Sequence, residues 1–168
     1  MEKFEIHHES GYILDKNKNG LSKSAGIYIV YKCDYNSFND SVNVKEVLYI
    51  GETGNIYGRH VTNTHEHYDD FIKYAGGKEH ICYGEILLPN LSDDDRKMIE
   101  AAMIHVQKPV INDENDKKHY TKSASDIIMS GGPDCWKTKH FIHPFHKGDE
   151  IGMKSLFDYL NEIKNIGE

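Results

Sequence analysis

The chain has 168 residues, a net charge of −7 and 28% charged residues, a size that suits one domain with its own core. No apolar run approaches membrane-spanning length, and MEKFEIHHES carries acidic residues where a signal peptide needs basic and then apolar ones; the reading is a cytoplasmic protein with no membrane partner. The three cysteines, Cys33, Cys82 and Cys135, are odd in number and far apart, which argues against a disulfide framework.

Residues 1–24 lack clear periodicity, and DKNKNG at 15–20 is turn chemistry. GIYIVYKC at 26–33 is β-branched and aromatic and predicts a strand. DYNSFNDSVN reads as a polar connection. EVLYIG at 46–51 predicts a second strand, paired with the first as an antiparallel hairpin with a long loop. Gly54 turns the chain. A short helix is expected from about 56 to 61, and another from about 68 to 74, closed by Gly76 and Gly77. HICYGEILL at 80–88 predicts a third strand. Ser92 is an N-cap candidate, Asp93, Asp94 and Asp95 suit the positive end of a helix dipole, and Pro109 stops the helix that follows. Ile99, Ala102, Met103 and Val106 form its core face. Further on, residues 123–129 predict a short helix stopped by Gly131 and Gly132. The His-rich stretch at 135–146 reads as irregular. Residues 150–165 are amphipathic through Met153, Leu156, Phe157, Leu160 and Ile163. This order implies a mixed α/β (α+β) domain around a small antiparallel sheet.

The acidic balance argues against a polyanionic partner, but the charge is uneven. Between 117 and 147 lie Lys117, Lys118, Lys122, Lys137, Lys139 and Lys147 against only Asp126 and Asp134, with His119, His140, His143 and His146 among them. Such a strip is a candidate for contacts to DNA phosphates; a solvated Lys-rich surface is the plainer alternative. Cys135, His140, His143 and His146 are zinc-ligand types at a spacing that matches no diagnostic finger.

Several residues carry possible chemistry. Glu100 sits in the apolar run MIEAAMI, where an ionised carboxylate is costly unless paired or metal-bound. An ion pair with Arg96 one turn earlier is the structural explanation; a hard-cation ligand is the functional one, because Mg²⁺ needs only one or two carboxylates besides water and phosphate oxygens. Tyr28 and Tyr49 fall in strands that pair, so their hydroxyls can share a face, although Tyr is also simply a good strand residue. Arg59 follows Tyr49 by ten residues and suits a phosphate clamp. His60, His65 and His67 come next, and one of them can shuttle a proton.

The ordered set SAGIYIVY, VLYIGETGNIYGRH and MIEAAMIHVQKPVIN resembles the GIY-YIG nuclease family over residues 25–112. The resemblance implies a three-stranded antiparallel sheet flanked by helices. Outside it, residues 1–24 are expected to form an N-terminal arm and residues 113–168 a helical C-terminal extension packed on the core. It implies hydrolysis of DNA phosphodiesters with Mg²⁺ or Mn²⁺. By motif, Tyr28 and Tyr49 are the two family tyrosines and Arg59 the arginine. Glu100 is the metal-binding glutamate and Asn112 the asparagine that supports the site. Two features depart from the pattern. The segment from Lys32 to Lys45 is longer than in compact members, and reads either as a DNA-contacting insertion or as tolerated surface. Asn63 stands where many members carry a histidine, leaving His60, His65 or His67 to substitute. The expected partner is DNA, with a homodimer conceivable for double-strand cleavage. The alternatives are a non-catalytic nucleic-acid-binding module on the same fold, or an interaction domain without nucleic acid.

Overall fold

A computed structural model of the chain describes residues 2–112 and 125–143. The run GIYIVY is buried without a break, and a strand apolar on both faces belongs in the middle of a sheet. It forms the start of β3 (Gly26–Asn36), which pairs antiparallel with β4 (Ser41–Thr53) on one side and with β5 (Ile81–Leu87) on the other. β2 (Ile13–Leu14) adds two residues outside β5, giving the order β2-β5-β3-β4.

The two faces of this sheet bury different sets. Tyr28, Val30 and Tyr49 point one way, toward Ile56, Phe71 and Tyr83. Ile27, Ile29, Tyr31 and Cys33 point the other way, toward Met98, Ile99, Ala102 and Met103. Helix α1 (Tyr68–Ala75) therefore lies on the first face and α2 (Asp93–Gln107) on the second. The ends of α2 are where the sequence puts them: the Ser92 side chain accepts from the Asp95 N–H, and Lys108, at φ 49°, ends the helix. Gly76, at φ 87°, ends α1, a conformation glycine adopts without steric cost.

Three expectations need correction. The polar stretch 34–43 is not a loose connection: β3 and β4 run on past the end of β5 as a two-stranded ribbon, closed by a turn at 37–40. A ribbon exposed on its outer face satisfies its backbone by pairing, whatever its side chains. Residues 125–130 are a strand, β6 (Ser125–Ser130), rather than a helix; Ser125, Ile127 and Met129 alternate inward with period two. The His-rich stretch contains β7 (His140–His143).

β6 and β7 also define a second sheet. It has the order β1-β6-β7, with β1 (Glu2–His7) parallel to β6 and β7 antiparallel to it. The expected small three-stranded sheet is thus a four-stranded one, accompanied by a mixed three-stranded sheet that shares its second core with α2. Residues 1–24 supply β1 and β2, and DKNKNG forms a 3₁₀ turn. The helix expected at 150–165 lies outside the described residues, as do Lys117, Lys118, Lys122 and His146. No helix among the described residues is long and apolar enough to cross a membrane.

A buried polar chain ties the second core together. Trp136 Nε1–H donates to Tyr31 Oη at 2.9 Å, and Tyr31 O–H donates to His8 Nε2 at 2.9 Å. His8 Nδ1–H donates to the Glu9 carbonyl at 2.7 Å, which assigns the ring hydrogen. Burial holds His8 below its usual pKa, so the ring is neutral.

Candidate active site

Register brings the two motif tyrosines together. Tyr28 lies opposite Gly51 and Tyr49 opposite Val30, so the tyrosines are diagonal neighbours on one face. Their rings stack at 6.1 Å with 23° between planes. Both motif glycines have a steric reason. A Cβ on Gly51 would lie 2.2 Å from Cζ and Oη of Tyr28, because the phenol ring leans across that position. A Cβ on Gly26 would lie 2.2 Å from the Ile86 carbonyl oxygen.

After β4 the chain makes one turn of π-helix, Gly58–Thr62, in which Asn63 N–H reaches back to the Gly58 carbonyl at 3.2 Å. Such turns rotate successive side chains relative to an α-helix. His60 faces inward, and its ring meets Tyr28 edge-on at 4.3 Å. Arg59 lies toward the Tyr28 hydroxyl and also donates to the exposed Glu66 carboxylate. That pairing holds Glu66 down at about 2. Asn63 itself is exposed.

The place near the hydroxyl is taken by His65. Its Nε2 lies 2.8 Å from Tyr28 Oη. The His67 backbone N–H donates to His65 Nδ1 at 3.0 Å, so the neutral ring carries its hydrogen on Nε2 and donates it to Tyr28. Burial, with the nearby Arg59 charge, holds His65 down at about 4, so it is neutral at physiological pH. His67 is half-buried against Tyr49 and directs its Nδ1 to Asp70 at 3.1 Å.

One phenol oxygen therefore receives a hydrogen from His65 and faces the Arg59 guanidinium. Burial raises the Tyr28 pKa well above the ordinary phenol range; Tyr49 and Glu100 add to this, and Arg59 opposes it. Glu100 stands half-buried on α2, and its charge is among the influences that raise the Tyr28 pKa. The Arg96 side chain is directed elsewhere. Nε donates to Glu52 at 2.9 Å, Nη1 to the Leu91 carbonyl at 2.7 Å, and Nη2 to Asp93. These bonds tie α2 to the end of β4 and so fix where Glu100 stands.

Asn112 grips the outer edge of β4. Ile50 N–H donates to its Oδ1 at 2.9 Å, its Nδ2 donates to the Ile50 carbonyl at 2.8 Å, and Ile111 N–H donates to Leu48 O at 3.1 Å. One side-chain amide thus replaces a missing strand at the middle residue of YIG. The sequence does not reveal this clamp or the Arg96–Glu52 tie, because both join positions far apart in the chain.

The described part of the basic strip lies elsewhere. Lys137 is exposed, with its backbone N–H bound to Gln107, and Lys139 Nζ donates to the Gly132 carbonyl. His140 is bonded to Asp126, and no group of three metal-ligand side chains occurs among the described residues.

His60 supplies a stability test. Burial holds its pKa down at about 3 against 6.5 for the free side chain, and its Nε2 has no hydrogen-bond partner among the described residues. The unfolded chain therefore binds more protons than the folded one between these values. This contribution is complete above pH 6.5 and is lost as the pH falls toward 3, by up to about 1.4 kcal/mol per pH unit. In urea unfolding, His60→Phe is expected to show a shallower loss of stability between pH 6.5 and 4 than the parent. Equal slopes would show that His60 does not carry the acid sensitivity.

Comparison of the chain with protein-family models, with curated proteins and with solved structures finds no match.

Proposed function

We propose that this chain is a divalent-cation-dependent DNA endonuclease of the GIY-YIG type. The observation that supports it is the grouping of Tyr28, Tyr49, Arg59 and His65, from β3, β4, the π-turn and the loop after it, around one buried phenol oxygen that the charge of Glu100 on α2 also influences. The core strands β5-β3-β4, with helices on opposite faces, are consistent with the fold the resemblance implies.

The residues account for the hydrolysis step in the following way. Tyr28 takes a proton from the attacking water as the phenolate, after its own hydroxyl proton has passed to solvent. As a neutral phenol it is a poor base, and burial makes the phenolate costlier still. His65 Nε2–H and Arg59 are aimed at that oxygen and stabilise the phenolate. His65 acts as a donor to Tyr28, because its other nitrogen is already occupied by the His67 N–H. Arg59 serves as the clamp on the phosphate, which displaces the exposed Glu66 from the guanidinium. Tyr49 holds the stacked geometry. Asn112 keeps β4, and with it Tyr49 and Gly51, in register.

Glu100 fits a hard cation, since Mg²⁺ or Mn²⁺ can be held by a single carboxylate when water and phosphate oxygens complete its shell. Such an ion supplies charge neutralisation at the phosphate and at the leaving oxygen.

The test is a nicking assay on supercoiled plasmid with Mg²⁺ or Mn²⁺. The parent protein is expected to nick, and Glu100→Ala to lose roughly two orders of magnitude or more in rate while still retaining DNA in a gel-shift assay. Salt-sensitive binding without nicking under either metal would sink the enzymatic reading and leave a non-catalytic DNA-binding module. No retention at low salt would sink both.

A further inference from the structure

The β3–β4 ribbon ends in an unusual tip. Phe38 is 100% exposed, whereas the other exposed large apolar side chains among the described residues, Tyr74, Val110 and Ile128, are 42–48% exposed. A partly exposed apolar residue is ordinary; a wholly exposed Phe at the end of a projecting arm has no packing partner among the described residues. The tip is also held in one shape. Asn36 Oδ1 accepts from the Phe38 N–H at 2.9 Å, Ser41 Oγ–H donates to Asn39 Oδ1 at 2.6 Å, and Tyr35 O–H donates to Asp40 at 2.8 Å. Asp40 sits at φ 51°. Much of the ordering that binding would demand is therefore already done.

The surroundings specify a partner. Around Phe38 stand Asn36, Ser37, Asn39, Ser41 and Asn43, which are neutral amides and hydroxyls. Two carboxylates stand on the arm: Asp40, which accepts from Tyr35 and keeps its charge, and Asp34, which faces Lys45 at 3.7 Å and His80 at 3.3 Å. An apolar wedge flanked by Asn side chains is the chemistry used to enter the minor groove and part a base step. The reach also suits DNA. The ten residues from Tyr28 to Phe38 extend up to roughly 33 Å at the strand rise, close to one helical turn of duplex, about 34 Å.

Resting on the nuclease reading above, we infer that the ribbon tip is a second DNA contact, in which Phe38 wedges into the minor groove about one turn from the Tyr28 site. The test measures binding of the full chain to a mixed-sequence duplex several turns long, in EDTA, over a salt series. Phe38→Ala lies in an exposed turn and leaves both cores intact. It is expected to weaken binding roughly fivefold or more without changing the slope of log K against log salt, because an apolar wedge releases no counterions. Phe38→Trp is expected to keep the affinity, with indole fluorescence quenched as duplex is added.

Parent-like affinity in Phe38→Ala would overturn the wedge. So would a loss of affinity that accompanies loss of a dimer in sedimentation velocity, which would make Phe38 a contact between copies. A parent protein that binds duplex without nicking loses the nuclease reading, while the two variants still decide the wedge by affinity. A parent that binds no duplex overturns both.

Discussion

Tyr28→Phe is expected to lower the plasmid nicking rate by about two to four orders of magnitude, the range that general acid–base groups contribute, while DNA retention persists. Only one oxygen is removed. The ring, its stacking on Tyr49 and its edge contact with His60 are unchanged in kind. The cost to folding is that of leaving the buried His65 Nε2–H without its acceptor, about 1–3 kcal/mol. Urea unfolding measures that loss separately from catalysis. A folded Tyr28→Phe protein that nicks at the parent rate would remove Tyr28 from the chemistry and, with it, the account of His65 as the donor that supports the phenolate.

Gly51→Ala tests the same place from the backbone side. The added methyl would lie 2.2 Å from Cζ and Oη of Tyr28. The ring has no room to retreat, being 1% exposed, edge-on to His60 and hydrogen-bonded to His65. Overpacking of this kind costs about 1–3 kcal/mol, a drop of roughly 2–4 °C in Tm for each kcal/mol in a chain of this size. Nicking should fall with it, because any relief moves the phenol oxygen away from Arg59. Gly54→Ala is the control, since a Cβ there meets nothing within 4 Å. A Gly51→Ala protein with parent-like Tm and nicking rate would show that the ring relocates freely, and the rigid geometry proposed for the site would be wrong.

Much of the fold was legible because local chemistry and burial agree there. The capped α2 was readable from Ser92, the three aspartates and Pro109, β3 from the unbroken run GIYIVY, and β5 from the β-branched and aromatic residues around Gly84 and Glu85. The ribbon was not, because residues 34–43 pair through their backbone while presenting polar side chains to solvent. β1 was missed for a different reason: its partner β6 begins more than a hundred residues away, and six residues with only Phe4 and Ile6 buried give little periodicity. β6 was misread because the adjacent isoleucines in SDIIM suit a helix face as well as a strand.

Of the ordered candidates Tyr28, Tyr49, Arg59 and Glu100, the fold stacks the two tyrosines and turns Arg59 toward the Tyr28 hydroxyl. The choice among His60, His65 and His67 was not readable, since a π-turn and an irregular loop intervene and neither keeps a regular helical spacing. The steric role of Gly51 was equally hidden. It depends on a cross-strand register, and register is a property of two segments rather than one.

The parallel pairing of β1 with β6 joins Glu2 to Ser125 and His7 to Ser130. Few contacts in the molecule span more sequence. Loop closure over such a separation must be completed before the second sheet gains anything from it. The four-stranded sheet draws on residues 13–87 and has no such requirement. During synthesis β1 precedes its partner β6 by more than a hundred residues, so the four-stranded sheet can form while the inner edge of β1 is still unpaired. β1 is thus among the last strands that can find their place, and His8, whose backbone N–H reaches the Ser130 carbonyl and whose ring bonds Tyr31, links the two sheets when it does.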